Sequence, residues 1–118
     1  MMNKKQQLLE FYNDGLKDCS WIPDTPKEFL AFCELSNVIV SHGVIVIEVH
    51  NSNFLYIDTI YTLKAVRCQQ RATKMMARIT KSRRGCVVCN KQLVGQYEKL
   101  GFKQDKDLPF AVMIKEKA

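Results

Sequence analysis

The sequence predicts a mixed α/β domain (α+β by some schemes), and three observations carry that prediction. Apolar residues recur at helical spacing in the first third of the chain, β-rich runs begin at Val38, and the centre alternates strand, helix, strand, helix. A helix between two strands implies a parallel pair with a right-handed connection, and hairpins on both sides make the sheet mixed and mostly antiparallel. With 118 residues in the chain, we expect a single domain over residues 1–118.

Two helices are expected first. Thr25-Pro26-Lys27-Glu28 is a helix-start pattern, with a threonine cap, proline in the first turn and glutamate three residues after the cap. This second helix should end near Ser36-Asn37 and carries Phe29, Leu30, Phe32, Cys33 and Leu35. Before it, apolar residues at helical spacing predict a helix over residues 3–17, namely Leu8, Phe11, Tyr12 and Leu16.

Strands are expected next. Val38–Val40 and Val44–Val49 flank a tight turn, Asn51–Asn53 marks another turn, and Phe54–Leu63 is a further strand. Asp58 is the one charged residue inside that last run. A carboxylate in such a run needs a partner or a function, because an unpaired buried charge is costly.

The remaining chain predicts a helix over residues 69–82, with an apolar stripe on one side and a basic face on the other. Gly85 is placed to end this helix. The later elements are a short buried strand (Cys86–Cys89), a helix (Lys91–Leu100) and two strands (Phe102–Gln104, Pro109–Lys115). The expected inward side chains of the two helices are Ala72, Met75, Met76, Ile79, Leu93, Val94, Tyr97 and Leu100, and the basic face is Arg71, Lys74, Arg78 and Lys81.

Composition is that of an ordinary globular protein, with 47% hydrophobic and 25% charged residues. The net charge of +6 favours a polyanionic partner, such as nucleic acid, an acidic protein surface or a phosphorylated cofactor, or it simply aids solubility. The most apolar stretch, Val38–Val49, is interrupted by polar residues and is too short to span a bilayer as a helix. No signal-peptide pattern is present, so we expect no membrane partner and a cytoplasmic location.

The five cysteines follow no disulfide framework, and we expect them to be reduced. Cys86-Val87-Val88-Cys89 spells C-x-x-C, but its β-branched centre predicts a strand, in which residues three apart point to opposite faces. The spacing of His42 and His50 fits no familiar zinc finger. We therefore expect buried apolar thiols and no metal site.

Three segments of the central region carry a family resemblance. Residues 57–67 look like a strand running into a loop, and Arg67-Cys68-Gln69-Gln70-Arg71-Ala72 occupies the place of an R/Q-x-x-G-x-G/A loop before a helix. An N-x6-Y-x-x-x-G-F pattern then begins at Asn90, and its tyrosine is Tyr97. Together these segments resemble the acyl-CoA-binding half of the GNAT acetyltransferases over residues 54–104. The family's usual first strand has no clear counterpart here.

The resemblance implies a GNAT-like fold, with a central splayed parallel strand pair (here residues 56–63 and 86–89) flanked by helices, and acetyl-CoA as co-substrate. Free backbone N–H groups and the positive end of a helix dipole suit the pyrophosphate of the co-substrate. An exposed strand edge suits its amide-bearing pantetheine arm. By this resemblance the cofactor-binding residues are Ile60, Tyr61, Thr62, Arg67, Cys68, Gln69, Gln70, Arg71, Ala72, Thr73 and Asn90.

Gln70 departs from the family's loop, which carries glycine at this position. Glycine permits unusual backbone angles and a close approach to phosphates. A β-carbon is tolerated if the backbone stays helical, with Arg67, Arg71 and Lys74 compensating by charge. Otherwise CoA binding is weakened or lost. The basic helix face is also compatible with a merely solvated surface.

Two residues are candidates for the chemistry. Tyr97 resembles the family's general acid, which protonates the departing CoA thiolate, although it also fits the apolar stripe of its helix. Asp58 matches a strand position where many members carry an acid that holds or deprotonates the substrate amine, and pairing with a lysine is the competing explanation. Asn90 would bind the cofactor arm, cap the following helix, or do both.

Three functions stay open on the sequence. The first is an acyl-CoA-dependent N-acetyltransferase that transfers an acyl group directly to an amine on a small molecule or protein, as a monomer or a homodimer. The second is a catalytically inactive GNAT-fold binding or structural protein, of viral or mobile-element origin, which the compact chain, the missing first strand and Gln70 favour. The third, a nucleic-acid-binding module, rests on charge alone and is the least favoured, because no clustered surface aromatics would stack on bases.

Overall fold

The computed structural model describes residues 2–19, 21–49 and 54–117. Short 3₁₀ turns at Leu16–Asp18, Lys64–Val66 and Lys91–Leu93 connect longer elements. Within the described ranges these elements are α1 (Lys4–Asp14), α2 (Pro26–Leu35), β1 (Asn37–Ser41), β2 (Val44–Val49), β3 (Phe54–Thr62), α3 (Arg71–Ile79), β4 (Arg84–Cys89), α4 (Val94–Lys99), β5 (Lys103–Asp107) and β6 (Ala111–Lys115). The turn expected at Asn51–Asn53 lies outside the described residues.

The strands form one sheet in the order β1-β2-β3-β4-β6-β5. β3 and β4 run parallel, and the other neighbouring strands are antiparallel. This arrangement confirms the predicted mixed, mostly antiparallel sheet. Parallel pairing begins with Phe54 opposite Arg84 and ends with Ile57 opposite Val87. Beyond that point β3 continues to Thr62 beside β2 alone, so the two parallel strands part; we call the opening between them the strand gap.

A β-bulge interrupts β3 beside the strand gap. Ile47 of β2 pairs with Thr59 and Glu48 pairs with Ile57, which leaves Asp58 without a partner residue on β2. The bulge also shifts the alternation of side chains, because Ile57 before it and Ile60 after it contact the same core cluster. Asp58 is therefore set apart from the regular pattern of its strand.

Helices cover both faces of the sheet. On one face, α1 and α2 bury a cluster with Ile45 and Ile47 of β2. On the other face, α3 contributes Met75 and Met76 to a cluster that α4 borders. The structure therefore has three layers, as expected when a sheet must bury both of its faces. No helix among the residues described above is long and apolar enough to cross a membrane.

The first two helices begin and end close to the predicted positions. The Thr25 hydroxyl accepts a hydrogen bond from the Glu28 N–H at 3.2 Å, which confirms the predicted cap of α2. α1 ends at Asp14 rather than near residue 17, because the chain turns away at Gly15 with φ of 152°. Leu35, at the end of α2, is 90% exposed and does not join the core.

The third helix is shorter than predicted at both ends. α3 begins only at Arg71, since the preceding residue has a left-handed backbone, and it ends at Ile79. Gly85 does not end this helix but lies inside β4. A Cβ at Gly85 would approach Thr80 to 3.3 Å and the ring of Phe102 to 3.4 Å, so close packing explains the glycine.

The fourth helix is divided. Residues 91–93 form a 3₁₀ turn, and α4 itself spans Val94–Lys99. The four side chains predicted to face inward do pack against the core, namely Leu93, Val94, Tyr97 and Leu100.

Candidate active site

A cavity of about 840 Å³ lies beside the free edge of β3, between the N-terminus of α3 and helix α4. It is lined by most of the residues that the resemblance assigns to the site: Ile60, Tyr61, Thr62, Arg67, Cys68, Gln70, Arg71, Ala72, Thr73 and Tyr97. Gln69 instead lines a neighbouring cavity of about 450 Å³ with Ser41 and His42. Asp58 and Asn90 are not part of the lining of the larger cavity.

The loop before α3 keeps a glycine-like backbone without glycine. Gln70 has φ of 57° and ψ of 25°, and Cys68 has φ of 65°, so both lie in the left-handed region. The helical backbone that would make a side chain at position 70 tolerable is therefore absent. A non-glycine residue in this region costs on the order of 1–2 kcal/mol. The turn geometry typical of glycine is present here at that cost.

The first turn of α3 offers free backbone donors to the cavity. The first helical hydrogen bond runs from the Lys74 N–H to the Gln70 carbonyl at 3.0 Å, and no side chain caps the helix. The N–H groups of Arg71, Ala72 and Thr73 therefore have no acceptor within the helix. All three residues line the cavity. Such an end suits a phosphate group, since N–H donors and the positive end of the helix dipole meet there.

Positive charge surrounds this cavity. The sequence contains no acidic residue between Asp58 and Glu98. Arg67 donates from Nε to the Thr62 carbonyl at 3.0 Å, and its guanidinium lies 5.1 Å from the centre of the Tyr61 ring. Arg71 donates to the His42 carbonyl at 3.0 Å. Arg71 also donates to the side-chain carbonyl of Gln69 at 3.1 Å. The hydrogen bond from the Lys64 N–H, and to a smaller extent the charge of Arg67, lower the pKa of Asp14, so one carboxylate lies near Arg67 without forming an ion pair with it. Because carbonyl oxygens hold both guanidinium groups, their charge stays available to an anion.

Tyr97 lies on α4. Its ring packs against the core, and the residue also lines the cavity of about 840 Å³. The ring packs edge-on against Phe102, with 5.7 Å between ring centres. Its hydroxyl forms no hydrogen bond with any of the residues that the structure describes. Burial raises the pKa of Tyr97 to about 12, and Cys89, Cys19 and Asp58 add to the rise. Tyr97 is thus a protonated phenol at neutral pH, and its hydroxyl has no hydrogen-bond acceptor among the described residues.

Asp58 lies at the mouth of the strand gap. It directly follows Ile57, the last residue of β3 that pairs with β4. Burial raises the pKa of its carboxyl group. Among the described residues, no lysine or other cation pairs with Asp58. The competing explanation, a structural ion pair with a lysine, is therefore wrong, and the carboxylate is close enough to raise the pKa of Tyr97.

Asn90 is the one predicted cofactor-binding residue that stands apart from both cavities. It precedes the 3₁₀ turn and its carbonyl accepts the Leu93 N–H at 2.9 Å, but its side chain makes no capping hydrogen bond. The expectation of a side-chain cap is wrong. The exposed amide is available for other contacts.

Several residues near the site carry no recognisable signal in the sequence. Cys19, from the connection between α1 and α2, is close enough to influence the pKa of both Tyr61 and Tyr97. The Tyr61 hydroxyl donates to Asp14 at 3.0 Å, and the same Asp14 oxygen accepts the Lys64 N–H at 3.0 Å. Asp14 thereby ties the free end of β3 to the end of α1. Only the fold brings these distant segments together.

The comparison with protein families supports this assignment. The sequence model of the acetyltransferase (GNAT) family matches residues 3–102. No curated protein sequence matches the chain. The match covers most of the sequence, and the sheet has the parallel pair and the flanking helices that the resemblance implies. The chain therefore belongs to the GNAT acetyltransferase family. Membership supports a function of the acyl-CoA N-acetyltransferase kind.

Proposed function

We propose that this protein is an acetyl-CoA-dependent N-acetyltransferase that transfers the acetyl group directly to an amine. The observation that carries the proposal is the cavity at the N-terminus of α3, where residues with uncapped N–H groups, two guanidinium groups without an ion pair among the described residues, and Tyr97 line one space. Phosphates of the co-substrate suit the first two features, and the free edge of β3 at residues 60–62 suits its pantetheine arm.

In the proposed reaction, Asp58 holds the amine as it approaches through the strand gap. A carboxylate with a raised pKa is a stronger base than a solvated one, which helps it to accept the ammonium proton. The amine nitrogen then bonds to the carbonyl carbon of the thioester, the carbon–sulfur bond breaks, and its electron pair goes to sulfur.

Tyr97 would donate its proton to that sulfur. A phenol with a pKa of about 12 is fully protonated at neutral pH and so is ready to act as an acid. The same desolvation raises the basicity of a thiolate formed in the cavity, which brings the two groups closer in proton affinity.

Arg67 has a second role in this proposal. Its hydrogen bond to the Thr62 carbonyl occupies the strand edge that the pantetheine arm would use. Binding of the co-substrate would therefore exchange this bond for a phosphate contact, which the flexible arginine side chain permits. We further propose that residues 1–118 act as one domain in the cytoplasm.

Isothermal titration with acetyl-CoA tests the proposal. Heat of binding and a rise in melting temperature are expected, because a ligand at 100 times its Kd adds about 2.7 kcal/mol to the free energy of unfolding. Arg67→Ala should weaken binding about tenfold through a lost charged hydrogen bond. Lys81→Ala removes the same charge outside both cavities and should leave the affinity unchanged. Neither heat nor a thermal shift at millimolar acetyl-CoA would leave the inactive GNAT-fold protein as the better explanation.

A further inference from the structure

Helices cover one side of the sheet over only part of its width. On the side of α1 and α2, the buried cluster and the partly buried residues packed against it include strand residues of β1, β2 and β3 but none of β4 or β6. In the part of the chain that the structure describes, β4 and β6 therefore have no helical cover on this side. Val88 of β4 is accordingly 58% exposed. The uncovered area begins at the strand gap.

Four exposed apolar side chains border this area, and we call them the open face: Trp21, Tyr56, Val88 and Phe110, with 47%, 38%, 58% and 42% of their surfaces exposed. A soluble protein rarely collects exposed aromatic rings in one region without a use for them. Two strands, the connection between α1 and α2, and the β5–β6 hairpin contribute one residue each.

Strand register brings three of these residues together. Tyr56 pairs with Cys86 across the parallel strands, so the two side chains share a face, and Val88 lies two residues further along the same strand. Phe110 directly precedes Ala111, which pairs with the last residue of β4. These side chains therefore follow the strand pair to the point where it opens.

A hydrogen bond brings the fourth residue to the same place. Trp21 donates from Nε1 to the Thr59 hydroxyl at 2.6 Å. Thr59 is the neighbour of Asp58, whose carboxylate has no ion pair among the described side chains. Asp105 lies on β5, three strands from β3 in the sheet. The open face thus brings apolar and aromatic surface to the Asp58 carboxylate. A second carboxylate, Asp105, lies near Cys86, whose pKa is raised by burial and then by that charge.

We infer that the open face binds the acceptor, and that the acceptor is a primary amine on an apolar, preferably aromatic, group. This inference rests on the proposed function and adds the class of substrate. The ammonium would pair with Asp58 and contact the aromatic rings through cation–π attraction, while the apolar group would cover exposed ring and valine surface. A polyamine or a lysine in a polar peptide would leave that surface in water.

Intrinsic fluorescence gives a direct test, because Trp21 is the one tryptophan in the sequence. The full-length protein would be titrated with 2-phenylethylamine, ethylamine, spermidine and 2-phenylethanol, with and without saturating CoA. We expect 2-phenylethylamine to change the Trp21 emission and to bind about tenfold or more tightly than ethylamine or spermidine, since burying a ring contributes at least that factor. The alcohol lacks the ammonium and should bind about tenfold more weakly than the amine.

Two variants and a control separate the parts of the inference. Asp58→Asn should abolish the preference for the amine over the alcohol without changing the affinity for the alcohol. Val88→Ser should weaken 2-phenylethylamine severalfold. Leu35→Ser removes an even more exposed apolar side chain from the end of α2, outside the open face, and should have no effect.

The outcomes distinguish this inference from the proposed function. Tighter binding of spermidine than of 2-phenylethylamine, or no amine binding by a protein that does bind acetyl-CoA, would overturn the inference alone. Amine binding without any acetyl-CoA binding would uphold the open face and overturn the proposed transferase. Trp21 emission that changes with protein concentration, together with a dimer in sedimentation, would identify the open face as an interface between two copies and would also overturn the inference.

Discussion

Replacement of Tyr97 by phenylalanine separates the two explanations of this residue. The hydroxyl makes no hydrogen bond with the described residues, while the ring packs on Phe102. Phenylalanine keeps the ring and its packing, so the free energy of unfolding should change by less than about 0.5 kcal/mol. If Tyr97 protonates the departing thiolate, turnover should fall about 10²–10⁴-fold, the usual contribution of a positioned acid, or roughly 3–5 kcal/mol of barrier.

Tyr12 provides a matched control for this substitution. It is buried between α1 and α2, and its hydroxyl donates to the Pro23 carbonyl at 3.2 Å. Tyr12→Phe removes a real hydrogen bond and should destabilise the protein by about 1 kcal/mol. Turnover should stay unchanged, because Tyr12 does not line the cavity. The two variants are thus expected to show opposite patterns of stability and activity.

The assay is release of CoA thiol from acetyl-CoA with 2-phenylethylamine as the acceptor, together with urea unfolding of the same preparations. A Tyr97→Phe protein with unchanged turnover would refute the catalytic role. A loss of about 1 kcal/mol or more in the free energy of unfolding would also contradict the reasoning, because it would mean that the hydroxyl has a structural partner.

Three further predictions concern Asp58, Gln70 and the buried ion pair. Burial raises the folded-state pKa of Asp58, so its cost to stability is absent below the unfolded pKa, grows as pH rises between the two pKa values, and is full above the folded one. Asp58→Asn should therefore raise the melting temperature at pH 7 but not near pH 3, and a lower melting temperature at pH 7 would count against this account. Gln70→Gly should stabilise the protein by up to about 1 kcal/mol in urea unfolding and change the acetyl-CoA Kd less than threefold, whereas Gln70→Ala should bring no gain. Arg83→Met leaves the Glu48 carboxylate buried and should cost about 3 kcal/mol with no effect on acetyl-CoA binding, and a fully stable variant would contradict it.

Local patterns in the sequence predicted the architecture well. The cap at Thr25 depends on neighbouring residues alone, and the hairpin between β1 and β2 depends on two apolar runs around Gly43. Such local signals predict an element correctly because they do not depend on distant parts of the chain. The parallel pairing of β3 with β4 then followed from the connection between them, since a helix between two strands implies a parallel pair.

The sequence could not predict features that depend on distant contacts. Glu48 reads as an interruption of an apolar strand, yet it is buried and bonded to Arg83 at 3.1 Å and to Asn37. Asp14 forms hydrogen bonds with Tyr61 and Lys64, which lie 47 and 50 residues further along the chain. The predicted start of α3 was also wrong, because helical periodicity does not reveal the left-handed residue that precedes Arg71.

The backbone at Gln70 bears on whether the site still binds its co-substrate. Both Gln70 and Cys68 are exposed, so packing of their side chains does not enforce their left-handed conformations. A loop without a ligand could relieve this cost by adopting an ordinary helical start. Strained residues persist where the surrounding structure over-determines them, and they concentrate at ligand sites. Gln70 directly precedes the first uncapped N–H groups of α3, and the residues that carry them line the cavity. Free N–H groups at a helix start suit a pyrophosphate. The replaced glycine is therefore weaker support for a lost function than the sequence alone suggested, because the backbone shape that glycine would provide has been kept.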